Sequence, residues 1–230
     1  MSQPAVKALD LPFELVYEDG IPLDNALHRI QMGLMIDLVR HVMASRGRKD
    51  YYTGGDMFVY YSPEQARDVA TGRPYFRGPD WFLVDGAEPR EGRKAWVRWM
   101  EGGRLPDIIL ELISPSTEKV DRNDKMKLYS RVFRTQEYYL YDFETGELEG
   151  YRLAGDMYQR MRPNEQGRLR SEVLRLDFGL WNGRIEEETA DWIRLFQSDG
   201  GLVPTAAERA EVAEAEVARL KALMRDLGSL

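Results

Sequence analysis

The apolar positions of this chain change period several times, and each change marks an element. Leu27, Ile30, Leu34, Leu38 and Val42 recur at helical spacing behind Asp24, a candidate N-cap, and Gly47 ends the run. Ahead of it, Glu18-Asp19-Gly20 reads as a turn. Gly54-Gly55 leads into Met57-Phe58-Val59-Tyr60-Tyr61, rich in β-formers. A second strand opens at Asp80 in Gly78-Pro79-Asp80-Trp81-Phe82-Leu83-Val84 and stops at Asp85-Gly86. The third, Asp107-Ile108-Ile109-Leu110-Glu111-Leu112-Ile113-Ser114, is apolar enough for a central strand covered on both faces. A helix over about 121–133 and a strand in Glu137-Tyr138-Tyr139-Leu140-Tyr141-Asp142 follow, so the elements run α-β-β-β-α-β.

Turn signals at Thr145-Gly146, Ala154-Gly155 and 164–167 separate further short strands, a meander expected to extend the sheet. Trp192-Ile193-Arg194-Leu195-Phe196 reads as a short amphipathic helix and Asp199-Gly200-Gly201 as a linker. Thr205-Ala206-Ala207-Glu208 is a capping box behind Pro204. After it Ala206, Ala210, Ala213, Val217, Leu220, Met224 and Leu227 alternate at intervals of four and three, a seam of about three heptads. The expectation is a mixed α/β (α+β) fold, with residues 1–198 as one domain and 199–230 as linker and coiled-coil helix. The seam suits pairing with a second copy, a homodimer, more than packing on its own domain.

Composition narrows the function classes. With 230 residues, 43% hydrophobic and 31% charged, the chain can bury a real core under a wet surface. No apolar run reaches the roughly 18 residues that span a bilayer, and no secretory signal pattern opens the chain. Zero cysteines exclude disulfides, thiolate zinc and a cysteine nucleophile, and make a reducing cytoplasm the expected compartment. A net charge of −7 argues against non-specific nucleic-acid binding but leaves room for a local basic groove. His28 and His41 are too few for a histidine-rich metal site.

Against that background Glu111 stands out, because an ionised carboxylate inside an apolar strand is costly unless a cation or donors compensate it. Asp107, on the same face, lies roughly 13 Å away along the strand and cannot share an ion with it. Asp80, opening a neighbouring strand, can. One Asp and one Glu from adjacent strands, completed by a backbone carbonyl and water, make a hard oxygen site for Mg²⁺ or Mn²⁺. Such an ion serves phosphodiester hydrolysis. On the following helix Lys125 shares a face with Leu128, Tyr129 and Val132 and so points under the sheet, while Lys127 faces solvent. Asp121, one turn earlier, could pair with Lys125.

The Pro79-Asp80, Glu111 and Lys125 spacing, in this order of elements, resembles the PD-(D/E)XK nuclease superfamily. Within it the chain looks like the Uma-two family (domain of unknown function 820, putative restriction endonucleases). The resemblance rests on Arg77-Gly78-Pro79-Asp80-Trp81-Phe82, Glu111-Leu112-Ile113-Ser114-Pro115-Ser116-Thr117, Asp121, Lys125, Tyr129, the 137–142 strand and Gly150-Tyr151-Arg152-Leu153. It implies a restriction-endonuclease-like αβββαβ core and Mg²⁺-dependent cleavage of DNA, with Asp80 and Glu111 as metal ligands and a lysine assisting. The superfamily pattern expects lysine two residues after the glutamate, where this chain has Ile113, so Lys125 would be a migrated equivalent.

Blander roles stand beside these. Asp121 reads better as a helix N-cap than as a catalytic group, Tyr129 as core, and Ser114, Ser116 and Thr117 as shaping the strand-to-helix turn. His28 could border the cleft, but a partly exposed histidine is the better expectation. Arg90, Arg93, Lys94, Arg98 and Arg104, with Trp96 and Trp99, could contact a phosphate backbone or equally pack on the sheet edge. Two rival functions remain: a catalytically inactive nuclease-fold protein binding nucleic acid or a protein partner, and an assembly module acting through its tail.

Overall fold

A computed structural model describes residues 12–16, 25–71, 78–114 and 117–227. Asp24, Arg77, Pro115, Ser116 and the turn at 18–20 lie outside these. The first helix, α1 (Ala26–Ser45), is capped by Asn25, whose side chain accepts from the His28 amide at 2.9 Å. Gly47 follows its end with φ +66°, the left-handed conformation that a Cβ disfavours.

The main sheet has six strands. They are β1 (Tyr51–Gly55), β3 (Trp81–Asp85), β5 (Ile108–Ile113), β6 (Glu137–Asp142), β7 (Glu147–Ala154) and β8 (Met157–Arg160), lying side by side in that order. Only β5 and β6 are parallel, and they are joined, as parallel neighbours must be, by a crossover helix, α3, over 118–133. The αβββαβ core is therefore present, and β7 and β8 extend it as the turn signals predict.

Strand alternation gives this sheet two buried faces. Trp81, Leu83, Ile108, Leu110, Leu112, Tyr139 and Tyr141 share one core with α1. Phe82, Val84, Ile109, Ile113, Tyr138 and Leu140 form another with Tyr129 and Phe133 of α3. Glu111 belongs to the second set by its position in β5, and it is fully buried.

Two expectations fail, each for a physical reason. The first strand is Tyr51–Gly55, not 57–61; of the latter only β2 (Val59–Tyr60) is a strand, pairing in parallel with β4 (Trp96–Val97). Gly54-Gly55 looks like a breaker in sequence, but a Cβ on Gly55 would sit 2.4 Å from the Asp80 carbonyl oxygen, so the glycine lets β1 close onto that backbone. Trp192–Phe196 is no helix. It ends β11 (Glu188–Phe196), which with β9 (Leu169–Ser171) and β10 (Leu176–Ile185) makes a separate three-stranded sheet on the α1 side. A short apolar run around one arginine fits either state, and here pairing with β10 decides. A short helix, α2 (Pro63–Ala70), buries Ala66 beside β2 and β4 and completes the body, capped by Ser62.

The tail is a helix, α4 (Ala206–Leu227), and its capping box forms: Glu208 N donates to Thr205 Oγ1 at 3.1 Å and Thr205 N to Glu208 Oε2 at 2.7 Å. Glu208 also receives both terminal nitrogens of Arg194, a fully buried arginine, at 2.7 and 3.1 Å. Asp37 on α1 accepts from Ala206 N at 2.7 Å. The first turn is thus riveted to the body, while residues 210–225 are all exposed. Glu208→Ala, which strands Arg194 and removes a cap, is expected to cost about 2–4 kcal/mol in urea unfolding; a change under about 0.5 kcal/mol would show that the rivet carries no stability. Among the described residues no helix is long and apolar enough to cross a membrane.

Candidate active site

Backbone packing fixes Asp80. A Cβ on Gly78 would fall 1.9 Å from the Met57 carbonyl oxygen, so only glycine lets the 78–80 segment pass so closely. The Asp56 amide donates to the Asp80 carbonyl at 3.2 Å. Because Trp81 pairs with Leu110, Asp80 arrives beside Glu111. Its Oδ2 accepts from the Leu112 amide at 2.6 Å, and its own amide lies 3.4 Å from Glu111 Oε2. Asp107 is at the far end of these strands, accepting from the Asp85 amide at 2.8 Å and Gln136 at 2.8 Å, as its spacing required.

Helix α3 supplies the rest. Lys125 Nζ lies 2.9 Å from Glu111 Oε2 and 2.7 Å from Asp121 Oδ1, and Tyr129 donates its hydroxyl to Glu111 Oε1 at 2.7 Å. In an ideal α-helix residues four apart drift by about 40° around the axis. Two wider turns, over Asp121–Lys125 and Tyr129–Phe133, offset that drift. Asp121, Lys125, Tyr129 and Phe133 consequently line one side facing the sheet. This corrects the expected face: Val132 is 43% exposed and Phe133 takes its place inside. Asp121 is not the N-cap, since the helix begins three residues earlier and its side chain is buried against Lys125. Tyr129 is core, as expected, but its hydroxyl also orients Glu111.

His28 corrects another expectation. It is buried, stacked on Phe143 with ring centroids 5.8 Å apart, and close enough to Asp80 to help draw its carboxyl down. Ser114 and Thr117 shape the turn into α3, with the Ser114 amide donating to Thr117 Oγ1 at 3.1 Å. The Arg- and Trp-rich connection packs rather than projects at its centre: the Arg93 guanidinium lies over the Tyr52 and Trp96 rings and pairs with Glu101 at 2.8 Å.

Electrostatics mark this site apart from an ordinary ion pair. Burial pushes the Glu111 carboxyl up to about 8; Lys125 pulls it down, while Asp80 and Asp121 push it further up. Burial also raises Asp80 against the pull of Lys125. For Lys125 burial works downward, but Glu111, Asp121 and Asp80 outweigh it and the ammonium is held above its ordinary range. Three carboxylates thus surround one ammonium, a surplus of negative charge that either a proton on Glu111 or another cation relieves. Among the described residues no three His, Asp or Glu side chains converge tightly enough to cage an ion. Asp80 and Glu111 could instead offer two oxygens to a hydrated divalent ion, with water completing its shell.

A flanking cluster was not foreseen. Glu149 follows Leu140 and Glu111 across the sheet in one row, is nearly buried, and is held by Arg122 of α3, by the Tyr151 hydroxyl at 2.6 Å and by Arg160 at 3.3 Å. The only sequence signal was the position of Arg122 next to Asp121.

Residues 15–186 match the family model Uma2, described as putative restriction endonuclease. Among solved structures the chain is similar to a putative nuclease belonging to DUF820 from Anabaena variabilis, at 12% identity and a TM-score of 0.48 over 69% of this chain and 82% of that one. No curated protein matches.

Proposed function

The chain belongs to the Uma2 family of putative restriction endonucleases, and from that premise we propose that it hydrolyses DNA phosphodiesters with Mg²⁺ or Mn²⁺ held by Asp80 and Glu111. The observation carrying this reading is Lys125 Nζ at 2.9 Å from Glu111, an ammonium delivered by α3 to the place that Ile113 leaves without one. That placement favours catalysis over an inactive binding fold. Residues 1–198 form the nuclease body in this account and 199–230 its linker and helix. Acting on both strands calls for two sites, which a homodimer supplies.

When bound, the metal would polarise the scissile phosphate and lower the pKa of a bound water. The chain's own groups do the rest. Tyr129 and the Asp80 amide fix the Glu111 carboxylate, and the Leu112 amide fixes Asp80. Lys125 would offset charge growing on a phosphoryl oxygen; Glu111 and Asp121 hold its ammonium in place and keep it protonated. A cleft of about 580 Å³ along β1 also carries Arg40, Arg48, Lys49 and Arg90; Arg48 is paired with Asp50 and Asp85 and Arg90 with Glu101, which leaves Arg40 and Lys49 as the better candidates for a backbone phosphate.

Supercoiled plasmid incubated with the full chain tests the proposal. Nicked and linear DNA should appear with Mg²⁺ or Mn²⁺ and not with EDTA. Intact plasmid with both metals between pH 7 and 9 would remove the hydrolytic reading and leave the binding one.

A further inference from the structure

We propose that α4 pairs with α4 of a second copy as a parallel, in-register two-stranded coiled coil. The helix is riveted by its first turn and then stands free, with Val217, Leu220, Leu223 and Met224 between 47 and 73% exposed. Its composition of Ala, Glu, Arg, Lys and Leu sustains a helix of this length alone, but not a bare apolar stripe. The wider folding of the body leaves that stripe uncovered, and its spacing says what covers it. Ala210, Val217 and Met224 occupy a positions and Ala213 and Leu220 d positions; a β-branched residue at a with leucine at d favours two strands.

Charge selects both partner and direction. Arg209 and Glu216 fall at g, Glu214 and Lys221 at e. In a parallel pair each g residue faces e of the partner's next heptad, so Arg209 meets the partner's Glu214 and Glu216 meets the partner's Lys221. Both contacts are attractive and occur twice by symmetry; the Glu216 contact matters more, because Arg209 is already held by Asp37 at 3.4 Å and the Pro204 carbonyl at 2.8 Å of its own chain, whereas Glu216 gives up only an exposed pair with Arg219. In the reversed alignment that keeps the seam in full overlap, Glu214 meets the partner's Lys221, but Glu216 faces the partner's Leu223 and gains nothing. Parallel pairing also brings both nuclease bodies to one end of the coil, side by side.

A chain without cysteine makes the test clean. Full-length Met224→Cys should oxidise to a covalent dimer, because parallel pairing sets the two 224 positions against each other. Reversed pairing sets 224 against the partner's 213, so a disulfide between Ala213→Cys and Met224→Cys chains, with none in Met224→Cys alone, would overturn the direction. Lys221→Glu should weaken dimerisation about tenfold by sedimentation, and Glu216→Lys with Lys221→Glu should restore it to within about twofold. A monomer at tens of micromolar for the unaltered chain would overturn the pairing itself. Identical outcomes in a Glu111→Gln background keep this result separate from catalysis.

Discussion

Glu111→Gln is expected to lower metal-dependent DNA cleavage by about 10³-fold or more while leaving the fold intact. The amide has the shape of the carboxylate and can still accept from Tyr129, whose hydroxyl lies 2.7 Å from Oε1. What disappears is the charge, and with it a metal donor and the partner of Lys125. Asp80→Asn should behave in the same way, because its carboxylate is the other donor. Full cleavage by either variant, with metal present, would remove both residues from the chemistry. A loss of folding in Glu111→Gln would instead make this carboxylate a structural group.

The second large effect is a pH dependence of stability in the metal-free protein. Glu111 ordinarily titrates near 4.5 and burial raises it to about 8 in the folded chain. Its proton is therefore held more tightly folded than unfolded. The stability it contributes is complete below about pH 4.5 and is lost as pH rises through about 8. Asp80, raised by the same burial, acts in the same direction. Urea unfolding in EDTA should show a decline on the order of a few kcal/mol between pH 5 and 8.5. Mg²⁺ should recover part of it, since a cation favours the ionised form. In Glu111→Gln most of the slope should vanish; parallel curves for the two proteins would place the titration elsewhere.

The centre of the site was legible because its signals are local and costly. A carboxylate inside Ile108–Ile113 demands a partner, Pro79-Asp80 starts a strand, and helical spacing sends Lys125 inward. What sequence could not give was the wide-turned geometry of α3. With ordinary α periodicity Val132 points inward and Asp121 looks like a cap; two wider turns send Phe133 in instead and bury Asp121 against Lys125. Gly54-Gly55 misled for a related reason, since glycine marks a break in one context and close backbone approach in another. At Trp192–Phe196 four apolar residues around a buried arginine carry no period, and the partner strand β10 decides. Glu149 joined the site through pairing across β6 and β7, a long-range register that no local motif encodes.

The central claim is that Asp80 and Glu111 together hold a divalent ion. Titrating Mn²⁺ into the protein at pH 8 and following free Mn²⁺ by electron paramagnetic resonance measures this without requiring turnover. The account predicts saturable uptake at millimolar concentration or below by the unaltered chain, with uptake lost in both Asp80→Asn and Glu111→Gln. Equal uptake by all three proteins, or none by any, would contradict it.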